Sequence, residues 1–391
     1  MASAPASLRL TGATVLRDGA LQKRSVAIED GRISKGPLPE VDLRGYFVMP
    51  GLIDLQGTGF ERHLRLVPGT PPGLRHALRA TDREAAAHGI TTGWLAHRWS
   101  WEDGLHGPVR AEAFARALDS YRGEALTDLR LHIRCETHTT ATADRLLALV
   151  RRHPVGFVTF TDTLRRVRDL LHGDAAPLAL LAAEAGCEVT AYRDAAREAL
   201  RQRPEVPRYL CRLAEAFDLL GVAYGSHDDA DGETREMYAM IGAKICALPA
   251  HRSAAALARA VGDPIVLGAP GVVHPPLGAP SPLDLVESRL GDALVSAQSY
   301  PSLPQAVFAL VDAGVLDLVR GWQMVSSTPA EILRLSDRGV IDYGRRADLA
   351  IVNARTRSIE ATICGGRITH LVGEAAQRFL GAREAVRLAA E

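Results

Sequence analysis

The sequence lacks the features that would mark a membrane protein, a secreted scaffold or a nucleic-acid binder. Lysine plus arginine and aspartate plus glutamate each number 46 among 391 residues, so the formal net charge is zero. This balance predicts neither a nucleic-acid partner nor a membrane-surface partner. No stretch approaches about 18 uninterrupted apolar residues, so no transmembrane helix is predicted. Residues 1–7 hold no basic region followed by an apolar run, so no signal peptide is predicted.

Aromatic residues make up only 5% of the chain, and the five cysteines are scattered without a C-x-x-C pair. An odd number of dispersed cysteines in a chain of this size predicts reduced, mostly buried thiols rather than a disulfide framework. The hydrophobic content of 47% and the charged content of 24% are ordinary values for a globular protein. We therefore expect a soluble, cytoplasmic protein.

Both ends of the chain are predicted to form short strands. Residues 8–16 and 25–33 are strand-like, and Asp30-Gly31 is a typical hairpin turn. Residues 344–353 and 359–368 again show a strand–turn–strand pattern. Two β-rich ends around an alternating middle predict one small β-sandwich built from both termini, comprising residues 1–49 and 340–391.

The middle of the chain, residues 50–339, alternates short apolar runs with amphipathic helical segments, a pattern that predicts a parallel sheet. Eight such units favour a closed (β/α)8 barrel. The Pro/Gly-rich run 268–280 is predicted to be a loop over the barrel mouth. Nine candidate strands are present, one more than the barrel needs: 52–56, 90–95, 130–135, 155–161, 186–191, 221–226, 243–247, 264–268 and 292–296.

The segment 48–63 is the most informative stretch, with the sequence V-M-P-G-L-I-D-L-Q-G-T-G-F-E-R-H. It resembles the first barrel strand of the amidohydrolase superfamily, whose members carry a His-x-His or His-x-Asp metal pair at this point. In this chain the two positions are Gln56 and Thr58. The phrases I-E-D-G-R-I and G-R-R-A-D-L-A-I-V near the two ends resemble the composite sandwich of the same superfamily.

Further segments resemble one family of that superfamily, the α-D-ribose 1-methylphosphonate 5-triphosphate diphosphatases (PhnM) of the C–P lyase pathway. They are Glu61-Arg62-His63, the R-C-E that ends at Glu136, the S-H-D-D of residues 226–229, and the G-A-P of residues 268–270. The resemblance implies a distorted (β/α)8 barrel and a hydrolase with two metal ions that activate water and bind phosphoryl oxygens.

The same resemblance implies six metal-ligand positions, which fall on Gln56, Thr58, Glu136, Thr163, His227 and Ala297. Only Glu136 and His227 keep a ligand-type side chain. Neutral amides and hydroxyls bind divalent ions poorly, and alanine does not bind them at all. We therefore expect no cofactor. The alternative is one divalent ion, zinc or manganese, held by Glu136 and His227, with help from His132, His138, His251 or His274.

Candidate catalytic residues are His227, Asp228 and Asp229, which would do acid–base work at the end of a barrel strand. The candidate substrate-binding residues are Glu61, Arg62, His63, Arg134 and Asp162. Each group also has a purely structural interpretation. The aspartates would be ordinary polar residues of the rim, Glu136 would pair with Arg134, and residues 61–63 would form a solvated turn.

Three functions are compatible with these residues. The first is a hydrolase of the superfamily with an atypical or degenerate metal site. The second is a metal-free enzyme that uses His227 and Asp228 on another small molecule, and the third is a non-catalytic protein that binds a ligand or forms a complex. We expect a small anionic ligand, no nucleic acid and no membrane. A homodimer is expected only by analogy with the superfamily.

Overall fold

The computed structural model describes residues 6–64, 73–102, 104–171, 175–275 and 281–390. Within these ranges no helix combines the length and the apolar character needed to cross a lipid bilayer.

The strands fall into an N-terminal group, a barrel group and a C-terminal group. The N-terminal strands are β1 (Leu8–Thr11), β2 (Thr14–Arg17), β3 (Ala20–Lys23), β4 (Val26–Glu29), β5 (Arg32–Ser34), β6 (Glu40–Asp42) and β7 (Tyr46–Pro50). The barrel strands are β8 (Leu52–Gly57), β9 (Ile90–Trp99), β10 (Asp128–Glu136), β11 (Val155–Thr161), β12 (Ala223–His227), β13 (Ile245–Ala247), β14 (Ile265–Gly268) and β15 (Ala293–Val295). The C-terminal strands are β16 (Leu349–Asn353), β17 (Ile359–Cys364) and β18 (Arg367–Leu371).

The helices lie mainly between the barrel strands. They are α1 (Phe60–Leu64), α2 (Leu74–Ala87), α3 (Pro108–Tyr121), α4 (Ala143–Arg152), α5 (Leu164–Leu170), α6 (Ala175–Ala185), α7 (Val189–Arg201), α8 (Val206–Leu220), α9 (Gly232–Met240), α10 (Arg252–Val261), α11 (Ala269–Val273), α12 (Pro282–Glu287), α13 (Ser302–Asp312), α14 (Leu318–Gln323), α15 (Ser327–Ile332) and α16 (Gly373–Ala390). Short 3-10 turns occupy Arg122–Glu124, Thr140–Thr142 and Arg203–Glu205.

In the described part of the chain, eight parallel strands form one sheet in the order of the sequence, from β8 to β15. The first and last strands meet at a parallel bridge between Gly57 and Ala297. There the Thr58 amide donates to the Ala297 carbonyl at 2.7 Å, and the Ala297 amide donates to the Gln56 carbonyl at 3.0 Å. The distorted (β/α)8 barrel predicted from the alternating pattern is confirmed.

The sandwich part contains two further sheets. One has the order β5-β4-β1-β6, and the other has the order β18-β17-β16-β7-β2-β3. The second sheet combines strands from both ends of the chain, because β16 pairs antiparallel with β7. The predicted hairpin forms between β4 and β5, and both turn residues, Asp30 and Gly31, have positive φ, as a two-residue turn of this kind requires.

Residues 186–191 are the additional strand candidate, and they do not form a strand. Val189 begins helix α7, one of four helices (α5 to α8) inserted between β11 and β12. The apolar residues of α5 to α7 pack on one another, with Leu178, Tyr192 and Ala196 at the centre. The predicted loop 268–280 also differs from the structure, because 269–273 form α11, and residues 276–280 lie outside the described residues.

Packing on the two faces of each barrel strand separates the core from the site. On β10, Leu129, Leu131, Ile133 and Cys135 pack outward against the helices. Since side chains alternate along a strand, the even-numbered residues face the barrel interior. These are Asp128, Arg130, His132, Arg134 and Glu136. The middle of the barrel is filled by apolar residues such as Ile53, Trp94 and Phe157. Of the charged residues on β10, Arg134 and Glu136 lie at its C-terminal end.

Candidate functional site

The predicted site residues lie at one edge of the barrel, the C-terminal ends of the parallel strands, where this fold normally places its chemistry. Gln56 lies at the end of β8, Glu136 ends β10, and His227 ends β12. Thr163 follows β11 by two residues, and Ala297 follows β15 by two residues. The structure therefore brings together side chains that are up to 241 positions apart in the sequence, from Gln56 to Ala297.

His227 is buried and is held from both sides. The side-chain amide of Gln56 lies 2.9 Å from Nε2, and Nη2 of Arg134 donates to Nδ1 at 3.3 Å. Burial and the neighbouring Arg134 cation lower the pKa of His227 well below its usual value, so the imidazole is neutral. A guanidinium only donates, so Nδ1 accepts and the single ring proton lies on Nε2. The Gln56 side-chain nitrogen faces Nε2, and Oε1 is buried without a partner among the described residues. Exchanging the two ends of the amide lets its oxygen accept the Nε2 proton.

Arg134 is the central cation of the site. Among the described residues, the guanidinium of Arg134 donates one hydrogen bond, to the neutral imidazole of His227. It forms no ion pair with any of these residues, and its buried Nε has no partner among them. Burial and the neighbouring Arg98 lower the pKa of Arg134 to about 10, which leaves the guanidinium charged at neutral pH. The alternative in which Glu136 pairs with Arg134 is therefore not what the structure contains. A charged donor without an acceptor suits an anionic ligand.

Glu136 is fully buried, and both of its carboxylate oxygens are occupied by Thr163. The Thr163 amide donates to Oε2 at 3.0 Å and the Thr163 hydroxyl donates to Oε1 at 2.8 Å. Burial raises the pKa of Glu136 to about 7, although the two hydrogen bonds from Thr163 act in the opposite direction. The carboxyl group therefore exchanges a proton near neutral pH.

Asp228 and Asp229 are adjacent in sequence but have different surroundings. Asp228 has positive φ and accepts from Nη2 of Arg166 at 2.6 Å at the rim. Asp229 points away from the mouth into a buried network, where it accepts from the Ser226 hydroxyl at 2.5 Å and lies 3.6 Å from Nη1 of Arg235. Asp228 is therefore available to the site, whereas Asp229 supports the fold beneath it.

Residues 61–63 form part of helix α1 and are tied to helix α2. Arg62 and His63 both contact the carboxylate of Glu84, and Nη1 of Arg62 donates to the Gln298 carbonyl at 2.9 Å. The negative charge of Glu61 acts to raise the pKa of Arg134. The solvated-turn interpretation of residues 61–63 does not match these contacts, since two of the three side chains crosslink the rim.

Asp162 lies at the rim beside Thr163. Its Oδ1 accepts from the Arg165 amide at 3.2 Å and lies 3.6 Å from Nδ1 of His138. Asp162 therefore shapes the rim between the Glu136 carboxylate and the loop that follows β10.

The side chains at the six positions implied as metal ligands offer few donors for a metal ion. In the described ranges, no group of three or more His, Cys, Asp or Glu side chains has an arrangement that would hold a metal ion. The side chains of Gln56 and Thr163 bind the two ligand-type residues that are present. Gln56 contacts the imidazole of His227, and Thr163 donates to both carboxylate oxygens of Glu136. The two remaining positions are Thr58, which offers only a neutral hydroxyl, and Ala297, which has no donor. The residues present do not fit a binuclear centre.

The four histidines considered for a rebuilt single-metal site are not brought together. His132 lies inside the barrel, 2.9 Å from the Thr159 hydroxyl, and His138 lies at the rim. His251 caps helix α10, and His274 is exposed.

Arg98 is a site residue that the sequence reasoning missed. It follows His97 near the end of β9, on the inward-facing side, and it contributes to the pKa shifts of Arg134, Glu136 and His227. The predicted strand ended at residue 95, whereas β9 continues to Trp99. Extending the two-residue periodicity from Trp94 would have placed Arg98 beside Arg134.

The chain was then compared with known proteins. It is 28% identical over 360 residues to the α-D-ribose 1-methylphosphonate 5-triphosphate diphosphatase of Escherichia coli (strain K12), covering 86% of this chain and 92% of the relative. No family model matches. Among solved structures, the D-hydantoinase of a Bacillus sp. AR9 has a TM-score of 0.63 at 12% identity, covering 94% of this chain and 97% of that one.

An amidohydrolase structure has a TM-score of 0.62 at 15% identity and covers 94% of this chain and 100% of its own. At such identities these two structures establish the fold alone, whereas the bacterial diphosphatase adds a likeness in sequence. The resemblance to the amidohydrolase superfamily is confirmed.

Proposed function

We propose that this amidohydrolase-type barrel binds a small phosphorylated ligand, of the ribose phosphate class, without a divalent metal ion. The diphosphatase relative acts on a ribose that carries phosphonate and triphosphate groups, as its name states. The proposal keeps this class of ligand for the present chain and replaces metal coordination by guanidinium contacts.

The observation that carries the proposal is the state of Arg134. Its buried Nε lacks a partner and its Nη2 contacts only a neutral imidazole. Arg134 is partly buried, and a cation that is partly removed from water gains from an anion placed beside it. Two oxygens of a phosphate group would accept from the guanidinium in a bidentate manner. Arg98, whose Nε is also buried without a partner in the described residues, is the second candidate donor.

Hydrolysis through metal-bound water is not supported, because the six positions supply one carboxylate and one imidazole that are already engaged. Phosphoryl transfer at a two-metal site relies on the ions to activate water and to stabilise both oxygens of the displacement. Arg134 would stabilise charge on a phosphate but would not activate water.

A second candidate function is metal-free acid–base catalysis at the same site. The observation that favours it is the pKa of about 7 for Glu136, because a general acid or base is most effective when its pKa lies near the working pH. Asp228 at the rim would be the partner carboxylate. Turnover of a phosphorylated sugar that is lost in Glu136→Gln and insensitive to chelators would support this function over simple binding.

The experiment that tests the proposal is a calorimetric titration of the whole chain with ribose 5-phosphate, with and without EDTA. Arg134→Met should weaken binding by about tenfold or more, the usual cost of losing a hydrogen bond to a charged group. The matched control is Arg152→Met, since Arg152 is exposed at the end of α4. Equal affinity of wild type and Arg134→Met, or binding that EDTA abolishes, would overturn the proposal.

A further inference from the structure

A second cavity lies beside the barrel mouth, between the loops that follow β9 and β10 and helix α7 of the inserted helices. We call it the side pocket. It has a volume of about 300 Å3, which is within the size range of small-molecule sites. Its lining is mostly apolar, and the residues used below are Ser100, Trp101, His138, Ala195, Ala199 and Gln202.

The walls of the side pocket favour a flat ring. The indole of Trp101 forms one wall and is held edge-to-face against Tyr192, with ring centroids 5.2 Å apart. The Tyr192 hydroxyl donates to the buried carboxylate of Glu102 at 3.1 Å, which fixes this part of α7 to the barrel. Small side chains of α7, Ala195 and Ala199, line the pocket. Aromatic rings stack well on such a rigid indole.

Most polar groups of the side pocket are engaged, as Thr139 and Arg145 are, and two donors are not. Nε1 of Trp101 is buried and has no partner in the described residues. The side-chain oxygen of Gln202 accepts from the amide and the hydroxyl of Thr140, so its NH2 group remains free to donate. A ring that carries nitrogen or carbonyl acceptors would satisfy these donors, whereas a hydrocarbon ring would leave them unpaired.

The side pocket is continuous in sequence with the charged site. His138, which lines it, follows Glu136 by two residues and Arg134 by four, a separation of at most about 14 Å along an extended chain. Nδ1 of His138 lies 3.6 Å from the carboxylate of Asp162, and Asp162 immediately precedes Thr163. The strand end that carries Arg134 and Glu136 therefore leads directly into the wall of the side pocket, and the proposal below requires one ligand to span both.

We propose that the side pocket binds the base of a nucleoside phosphate whose phosphate group contacts Arg134. This inference rests on the proposed function at the barrel mouth and adds the chemical class of the rest of the ligand. The apolar walls and the indole bind the ring by burial and stacking, and the free donors of Trp101 and Gln202 select rings that carry acceptors.

Three probes separate the two sites in the full chain: AMP, ribose 5-phosphate and adenosine. Three of the four tryptophans, Trp94, Trp99 and Trp322, are at most 1% exposed, whereas Trp101 is partly exposed. A change in tryptophan fluorescence on adding a probe therefore reports mainly on the side pocket. Calorimetry on the same samples gives the affinities.

AMP should bind about tenfold or more tightly than ribose 5-phosphate, and adenosine should change the fluorescence without phosphate. Ala195→Leu should fill the pocket and remove the advantage of AMP while leaving ribose 5-phosphate binding unchanged. Trp101→Phe, which keeps a ring but removes the N–H, should weaken AMP by about tenfold, the usual cost of about 1.4 kcal/mol for a hydrogen bond. Circular dichroism checks that both variants fold.

Equal affinities for AMP and ribose 5-phosphate, with no effect of Ala195→Leu, would overturn the side-pocket inference and leave the proposed function intact. If adenosine binds as tightly as AMP does, the phosphate adds no affinity. That result would overturn the proposed function and leave the side pocket as a site for the base. Binding of none of the three probes would overturn both.

Discussion

The side-chain amide of Gln56 lies 2.9 Å from Nε2 of His227, across the mouth of the barrel from β8 to β12. Both positions correspond to metal ligands in the family that the sequence resembles. Here the two side chains bind each other, and the buried imidazole has no nitrogen left for an ion. Thr163 and Glu136, at two further ligand positions, also bind each other through hydrogen bonds. These four side chains are thus engaged with one another, and a metal ion would have to break their hydrogen bonds.

Restoring the ligand-type side chains should restore metal binding. The variant combines Gln56→His, Thr58→His, Thr163→His and Ala297→Asp. Ala297 has a φ of 47°, a conformation that aspartate adopts more readily than alanine, so the backbone favours the last substitution. Elemental analysis after dialysis should find zinc in the variant and less than one equivalent in the wild type. Two equivalents in the wild type would show that the interpretation of these positions is wrong.

Thr163→Val should destabilise the protein by about 1–3 kcal/mol, the usual cost of leaving a buried polar group without its donor. The variant removes the hydroxyl that donates to Oε1 of Glu136 and keeps the side-chain shape. Urea unfolding at pH 8, where the carboxylate is charged, measures the change. Thr163→Ser keeps the hydroxyl and should stay close to wild type. If valine and serine behave alike, the hydrogen bond contributes nothing.

The buried imidazole of His97 should make the protein sensitive to acid. Burial lowers the pKa of His97 to about 4, and the ring packs between Phe60 and Phe114. Because the unfolded chain binds the proton more tightly, stability is fully present above about pH 6.5 and is lost as the pH falls towards 4, by up to about 3 kcal/mol.

His97→Phe tests this assignment, since it keeps the aromatic packing and removes the titrating group. Thermal unfolding from pH 7 to pH 4 should show a smaller loss of stability in the variant than in the wild type. His274→Phe is the control, because His274 is exposed. Parallel curves for wild type and His97→Phe would rule out His97 as a source of the acid sensitivity.

Much of the fold could be predicted from sequence periodicity, because eight βα units and matching β-rich ends are global patterns that survive local errors. The segment 186–191 could not be recognised from the sequence as the start of a helix, since a short apolar run suits a buried strand and a helix equally well. The strand ends of the site were also predictable, because Gln56 ends a predicted strand and Glu136 and His227 each directly follow one.

The pairings within the site were not predictable in the same way. Nothing in the sequence indicates that Thr163 would bind both oxygens of Glu136, since this depends on the turn after β11. The neighbouring aspartates 228 and 229 likewise looked equivalent, because a positive φ at Asp228 is needed to direct them to different places. Such contacts depend on backbone geometry that a linear pattern does not contain.

The buried Arg235 should be essential to the fold and not to ligand binding. Its guanidinium contacts Asp263 at 2.8 Å and Asp229 at 3.6 Å, and the side chain is fully buried. Arg235→Met leaves two buried carboxylates without their cation, which should cost about 3–5 kcal/mol in chemical unfolding. The triple variant Arg235→Met, Asp229→Asn, Asp263→Asn removes all three charges and should recover part of this loss.

The triple variant also decides the role of Asp229, which the sequence suggested as a catalytic residue. If Asp229 supports the fold alone, the folded triple variant should bind ribose 5-phosphate as tightly as wild type does. Loss of binding or of any turnover in a variant whose stability has recovered would contradict the structural role. His227→Ala is the comparison, because His227 contacts Arg134 directly, and its removal should change ligand affinity with a smaller loss of stability than Arg235→Met.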